Sequence, residues 1–132
     1  EILQFLIDQW MLSTIVIVLI ALLIYGEKPK KYKILDINEI INILDSGNTI
    51  ILDVREQKEI KNKIKSAINI PLSDLKNKIN DLDKSKKIIT YCQNGVRSKT
   101  AANLLVKNQF TNIYAIKGGF DAWVKSGLPV EK

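Results

Sequence analysis

The chain opens with a stretch whose apolar positions leave no polar face, then changes to short apolar runs separated by polar, helically periodic segments. Trp10 to Tyr25 passes sixteen residues without a charge, roughly 24 Å as a helix against a hydrocarbon core of roughly 30 Å, and Phe5, Leu6 and Ile7 extend it. Trp10 and Tyr25 fall where interfacial aromatics sit, with Asp8 and Gln9 near one boundary. As a buried core helix, this segment would need more surrounding layers than the remaining hundred or so residues can supply. A cleaved signal peptide would carry a basic start and a small-residue cleavage site, whereas here Glu1 and Asp8 come first and the run ends Leu23-Ile24-Tyr25-Gly26. The pattern predicts one transmembrane helix within residues 1–26.

Past a basic juxtamembrane linker at 27–32, the pattern alternates. Asp36-Ile37-Asn38-Glu39 reads as a capping box opening a helix with Ile40, Ile41 and Leu44 as its apolar stripe, stopped near Gly47. Thr49 to Val54 reads as a buried strand, and Ala67 to Ile70 as a short one ended by Pro71. Ser73 or Asp74 caps the next helix, which carries Leu75, Ile79 and Leu82. Lys87 to Tyr91 is the expected central strand, followed by a helix over Arg97 to Lys107. Asn112 to Ile116 is the last strand and Phe120 to Lys125 the last helix, with Phe120 and Trp123 as core residues. Strands that are continuous apolar runs have both faces covered. The fold class predicted for 33–132 is therefore α/β, a mostly parallel sheet flanked by helices.

Charge adds an orientation. Lys28, Lys30, Lys31 and Lys33 follow the span directly and no basic residue precedes it, so the positive-inside rule leaves the C-terminal part in the cytoplasm. After Gly26 the chain has 20 basic and 12 acidic residues, a net +8, which is mostly lysine surface with attraction to anionic headgroups as an addition. The lysines are scattered without interleaved aromatics, so no nucleic-acid partner is expected. The chain has no histidine and one cysteine. That excludes Ser-His-Asp and Cys-His couples, an internal disulfide, and histidine or multi-cysteine metal sites. Of the basic residues only Arg55 and Arg97 are arginine, and both lie in motif-like segments, which suggests that the planar fork is needed there.

The candidate chemistry is the loop Cys92-Gln93-Asn94-Gly95-Val96-Arg97-Ser98. It leaves the central strand and enters a helix N-terminus, where unpaired N–H groups and the helix dipole favour negative charge and hence a thiolate. The bland reading is a buried, inert cysteine at a strand end. Gly95 permits the tight turn, and Arg97 is placed to hold the loop or an incoming sulfonate-type anion. Gln93, Asn94 and Val96 shape the pocket wall. Asp53 and Arg55 are candidate supports for the neighbouring loop, their bland reading being a solvated strand-end ion pair.

These residues carry a resemblance. Leu52-Asp53-Val54-Arg55-Glu56 with Glu59 and Ala67-Ile68-Asn69-Ile70-Pro71-Leu72, then Tyr91 to Ser98, then Gly118-Gly119-Phe120-Asp121-Ala122-Trp123 with Gly127-Leu128-Pro129, are similar in order and content to rhodanese-like sulfurtransferase domains. With the apolar segment in front, the chain resembles the single-domain, membrane-anchored bacterial type. One departure is Asn62-Lys63-Ile64-Lys65-Ser66-Ala67, where the family usually has Gly-His-Ile-x-Gly-Ala. The resemblance implies that Cys92 takes sulfur from a sulfane-sulfur donor such as thiosulfate, holds it as a persulfide, and passes it to a thiol or cyanide, with no cofactor beyond that covalent intermediate and no metal. The backbone N–H groups of Gln93 to Ser98 would surround the anionic sulfur. A cysteine phosphatase or arsenate reductase is disfavoured because four residues separate Cys92 from Arg97, one fewer than in phosphate-circling loops. A non-enzymatic, membrane-tethered sulfur-relay or interaction module retaining the loop is the alternative class.

Overall fold

The computed structural model describes residues 2–26 and 31–132. The chain divides into an N-terminal unit ending at Lys30 and a C-terminal unit beginning at Lys31. The N-terminal unit is a single helix, α1 (Ile2–Tyr25), long and apolar enough to cross a membrane. Its 24 residues rise ~36 Å, longer than the charge-free run alone, because Ile2 to Gln9 continue the same helix. Its large apolar side chains, Trp10, Leu19 and Tyr25 among them, are exposed. Lys28 and Lys30, half of the basic cluster behind the orientation reading, lie outside the described residues, as does most of the 27–32 linker.

The C-terminal unit is built on a five-stranded, all-parallel sheet in the order β1-β6-β5-β2-β4. Its strands are β1 (Lys33–Leu35), β2 (Thr49–Asp53), β4 (Ile68–Asn69), β5 (Lys87–Tyr91) and β6 (Ile113–Ile116), and β5 is central as expected. Two short strands the sequence pattern does not signal, β3 (Lys63–Ile64) and β7 (Val130–Glu131), pair antiparallel beside it. The helices are α2 (Ile37–Asp45), α3 (Leu72–Lys78), α4 (Arg97–Lys107) and α5 (Gly119–Lys125). Strand β5 shows why the sheet needs cover on both sides: Ile88 and Cys92 join one core cluster with Leu105 of α4, while Ile89 and Tyr91 join another with Ile40 of α2 and Trp123 of α5.

Local signals account for most boundaries. Asp36 caps α2 by accepting the Glu39 N–H at 3.0 Å, the first half of the expected capping box. Ile40 is fully buried and Leu44 packs beside it, joined by Ile37 and Ile43 rather than by Ile41. The expected Ser73 or Asp74 cap is corrected: α3 begins at Leu72 with Pro71 at the cap position, whose fixed φ of −54° pre-forms the turn and whose carbonyl accepts from the Asp74 N–H. Tyr32, assigned by sequence to the linker, is 6% exposed and belongs to the core. At the departure, 62–67, the backbone is held by the C-terminal strand rather than by its own neighbours. Ser66, where the family pattern has its second glycine, takes φ +70°, and its N–H is held by Glu131 Oε1 at 3.0 Å.

Candidate active site

Cys92 follows directly on the carboxyl end of β5 and is fully buried. Its Sγ accepts two backbone N–H groups, Gly95 at 3.2 Å and Ser98 at 3.3 Å. Of the N–H groups from Gln93 to Ser98 that the sequence suggests as a ring, these two reach the sulfur. The Val96 N–H turns instead to Asn94 Oδ1 at 3.2 Å, which shapes the loop. Ser98 further ties the loop shut through its hydroxyl to the Gly95 carbonyl, and Thr90 Oγ1 donates to the Ser98 carbonyl. The sulfur thus meets fixed dipoles at the start of α4, an arrangement that stabilises negative charge on it.

Two glycines allow this shape. Gly95 takes φ +96°, and a Cβ on it would lie 3.2 Å from the Gly118 backbone nitrogen. Gly119 is tighter: a Cβ there would lie 2.4 Å from the Cys92 carbonyl oxygen and 2.8 Å from the Gly95 nitrogen. The start of α5 is clamped on the loop, with Phe120 N–H donating to the Cys92 carbonyl at 2.8 Å and Asp121 N–H to the Gln93 carbonyl at 3.1 Å. The motif that carries the resemblance contains Gly118-Gly119 without assigning the pair this role. The signal was available, since paired glycines at a helix start mark a close backbone approach.

Under the loop lies a polar network that sequence reasoning left as a choice between support and solvated pair. It is buried: Asp53 is 0% and Arg55 1% exposed. Arg55 grips Asp53 through Nη2 at 2.7 Å and Nε at 3.1 Å, and extends Nη1 to Gln93 Oε1 at 3.0 Å and Nη2 to the Asn62 carbonyl at 2.8 Å. Its guanidinium also stacks 4.3 Å from the Phe120 ring centre. Burial alone pulls the Arg55 pKa down, but the hydrogen bond and charge of Asp53 outweigh it, so the pKa lies above its ordinary value. Tyr91, absent from the sequence-level site, donates to Asp53 Oδ2 at 2.7 Å and accepts from the Ile64 N–H at 3.1 Å. Burial, chiefly, pushes the pKa of this phenol up, keeping it neutral. Gln93 completes the connection, bridging Arg55 on one side and Asp121 of α5 on the other.

Of the two roles expected for Arg97, holding the loop is not what its side chain does. It makes no hydrogen bond to the sulfur or the loop. Its Nη1 pairs with Glu59 Oε1 at 2.6 Å, on the 3-10 turn Gln57–Glu59. Gln93 lines a cleft of about 260 Å³ with Arg55, Glu59, Lys61, Asn62 and Phe120. Asn94, Gly95 and Val96 line a separate one of about 360 Å³ with Lys99 and Lys117, so the neutral loop residues are divided between two clefts. A larger hollow of about 570 Å³ near Leu44, Ile51 and Trp123 lacks every residue of the loop.

A cysteine loop between the central parallel strand and a helix N-terminus, with dipoles aimed at the sulfur, defines an α/β protein whose one cysteine lies among groups that favour an anionic sulfur. Residues 36–126 match the model of the rhodanese-like domain, and the chain belongs to that family. It is 49% identical over 74 residues to the uncharacterized protein YqhL of Bacillus subtilis, covering 55% of this chain and 59% of that protein. Over 53 residues it is 42% identical to the thiosulfate sulfurtransferase GlpE of Actinobacillus pleuropneumoniae, covering 40% of this chain and 49% of that protein. The match thus spans less than two thirds of the length of these curated relatives. The crystal structure of a rhodanese-related protein from Thermoplasma volcanium superposes with a TM-score of 0.65 at 33% identity, covering 75% of this chain and 97% of that one. Membership supports sulfurtransferase-type chemistry at the level of the family.

Proposed function

We propose that the C-terminal unit is a sulfurtransferase whose nucleophile is Cys92. The observation that carries the reading is the pair of backbone N–H groups, Gly95 and Ser98, aimed at Sγ from a loop at the carboxyl end of the central strand. With thiosulfate as donor, the Cys92 thiolate attacks the sulfane sulfur. A new S–S bond forms, the bond to the sulfonate sulfur breaks, and sulfite leaves with its electron pair. The persulfide is anionic at its terminal sulfur and needs donors that do not have to reorganise, which the loop amides provide. A thiolate or cyanide then attacks that terminal sulfur, leaving as a persulfide or thiocyanate and returning Cys92 as thiolate. Asp53, Arg55 and Gln93 act from beneath by fixing the loop, and Gly119 by letting α5 close on it. The chain's partners are then a sulfur donor and a thiol acceptor, with α1 tethering the unit to lipid as a single-pass anchor and the basic flank leaving the enzyme in the cytoplasm.

The test is intact mass. The full chain in neutral detergent, incubated with thiosulfate without reductant, is expected to gain one sulfur atom that cyanide removes, and Cys92→Ser is expected to gain none. A wild type that stays unmodified while its thiol still titrates would shift the reading to the non-enzymatic relay module. For topology, a reporter fused after Lys132 is expected to report the cytoplasm; periplasmic activity would reverse the orientation.

A further inference from the structure

We propose that Glu59 determines which sulfur donors the site accepts, by competing with an incoming anion for the guanidinium of Arg97. The inference deepens the sulfurtransferase reading and rests on it. Arg97 is the first residue of α4, and its neighbour Ser98 supplies one of the two N–H groups on the sulfur. Its side chain is 34% exposed and that of Glu59 38%, so their contact is a reachable, exchangeable one rather than a buried lock. Through Nη1 it holds Glu59, and among the described residues Nε and Nη2 hold no hydrogen-bond partner. The other arginine offers nothing comparable, because Arg55 is buried with every side-chain nitrogen engaged. Arg97 is therefore the arginine able to change partners at this loop.

Glu59 has no other side-chain partner among the described residues, and it lines the cleft that Gln93 and Phe120 share. A small dianion of the thiosulfate type approaching there meets Lys61 on the same cleft and the Glu59 carboxylate, behind which the charge of Arg97 is already compensated. To use the fork it must displace Glu59. An uncharged organic donor, such as a dialkyl trisulfide, needs no cation and meets no such competition. The pair thus biases the site toward neutral or organic sulfane sulfur and away from inorganic dianions, by an amount limited by solvent screening at these half-exposed groups.

Because Cys92 is the only cysteine, its alkylation reads the charge on the approach to the sulfur without requiring sulfur transfer. The rates for anionic iodoacetate and neutral iodoacetamide are measured on the full chain in detergent, and their ratio cancels differences in general access. Glu59→Gln, with Glu59→Ala as a second variant, is expected to raise the iodoacetate to iodoacetamide ratio by about threefold or more. In an Arg97→Gln background the same change is expected to have less than half that effect, the mark of competition for the arginine. An unchanged ratio, equal effects in both backgrounds, or a Cys92 that neither reagent reaches in the folded protein would overturn the proposal. Because alkylation needs no donor, failure of persulfide formation and failure of this inference are separate results. If persulfide does form, Glu59→Gln is further expected to lower KM for thiosulfate relative to that for a dialkyl trisulfide, and a shift common to both donors counts against it.

Discussion

The two arginines flank the same loop and are held in opposite ways. Arg55 lies under it at 1% exposure, bonded to Asp53, Gln93 and the Asn62 carbonyl and stacked on Phe120. Arg97 lies at its C-terminal end, a third exposed, with one contact to Glu59. A guanidinium stripped of water must have its donors satisfied by the protein, so the first region is rigid and sensitive to loss of any member. A guanidinium still in water can exchange a carboxylate for a ligand, so the second region is where charge recognition can take place. The fold thus uses the same side chain once as a buried support and once as an exchangeable contact.

The comparison breaks most easily at Asp53. Asp53→Ala leaves Arg55 charged and unpaired in the interior and is expected to destabilise the unit by about 3–5 kcal/mol, read from urea denaturation. A change no larger than that of a surface pair would erase the distinction between the two regions. Gly119→Ala forces a Cβ against the Cys92 carbonyl at a residue with φ +62°, and is expected to cost about 2 kcal/mol and to abolish the thiosulfate-derived mass gain. Normal persulfide formation in that variant would show that α5 does not fix the loop.

Tyr91→Phe removes one hydroxyl from the buried network and is expected to cost about 1–3 kcal/mol near neutral pH. It also carries a pH signature. The folded-state pKa of Tyr91 is raised above its ordinary 10.0, so the stability tied to its neutral form is present below pH 10 and is lost as pH rises beyond it. The wild type is expected to lose stability more steeply above that pH than Tyr91→Phe, and parallel curves would remove Tyr91 from the network. The smallest change in stability is expected at the exposed pair: Arg97→Lys should alter it by less than about 1 kcal/mol while sulfur transfer weakens, because a point charge replaces the fork. Wild-type kinetics in that variant would dissolve the argument for a functional arginine there.

Much of this molecule is legible locally. The charge-free run of α1, the capping Asp36, the strand Lys87–Tyr91 and the helix Arg97–Lys107 all follow from hydrophobic period and cap chemistry, which act over a few neighbouring residues. The loop from Cys92 to Ser98 is equally visible, because a lone cysteine before a glycine turn and a helix start is a local pattern. The short β3 and β7 were not visible, since two-residue strands hold too little pattern and exist only through pairing across the chain.

What the sequence by itself determined is the helices, four of the five strands of the parallel sheet, their order and the thiol-bearing loop between the central strand and its helix. It placed both arginines in motif-like segments and left open whether Arg55 is a support or a solvated pair and whether Arg97 holds the loop or an anion. Tertiary structure made that decision, through partners distant along the chain: Gln93, 38 residues from Arg55, meets it beneath the loop, and Glu59 reaches Arg97 from the turn after β2. The same holds for Gly119, whose missing side chain matters only because α5 returns to touch the Cys92 carbonyl. Burial and charge pairing depend on which surfaces meet, and contacts between segments far apart in the chain leave no periodic trace in either one alone.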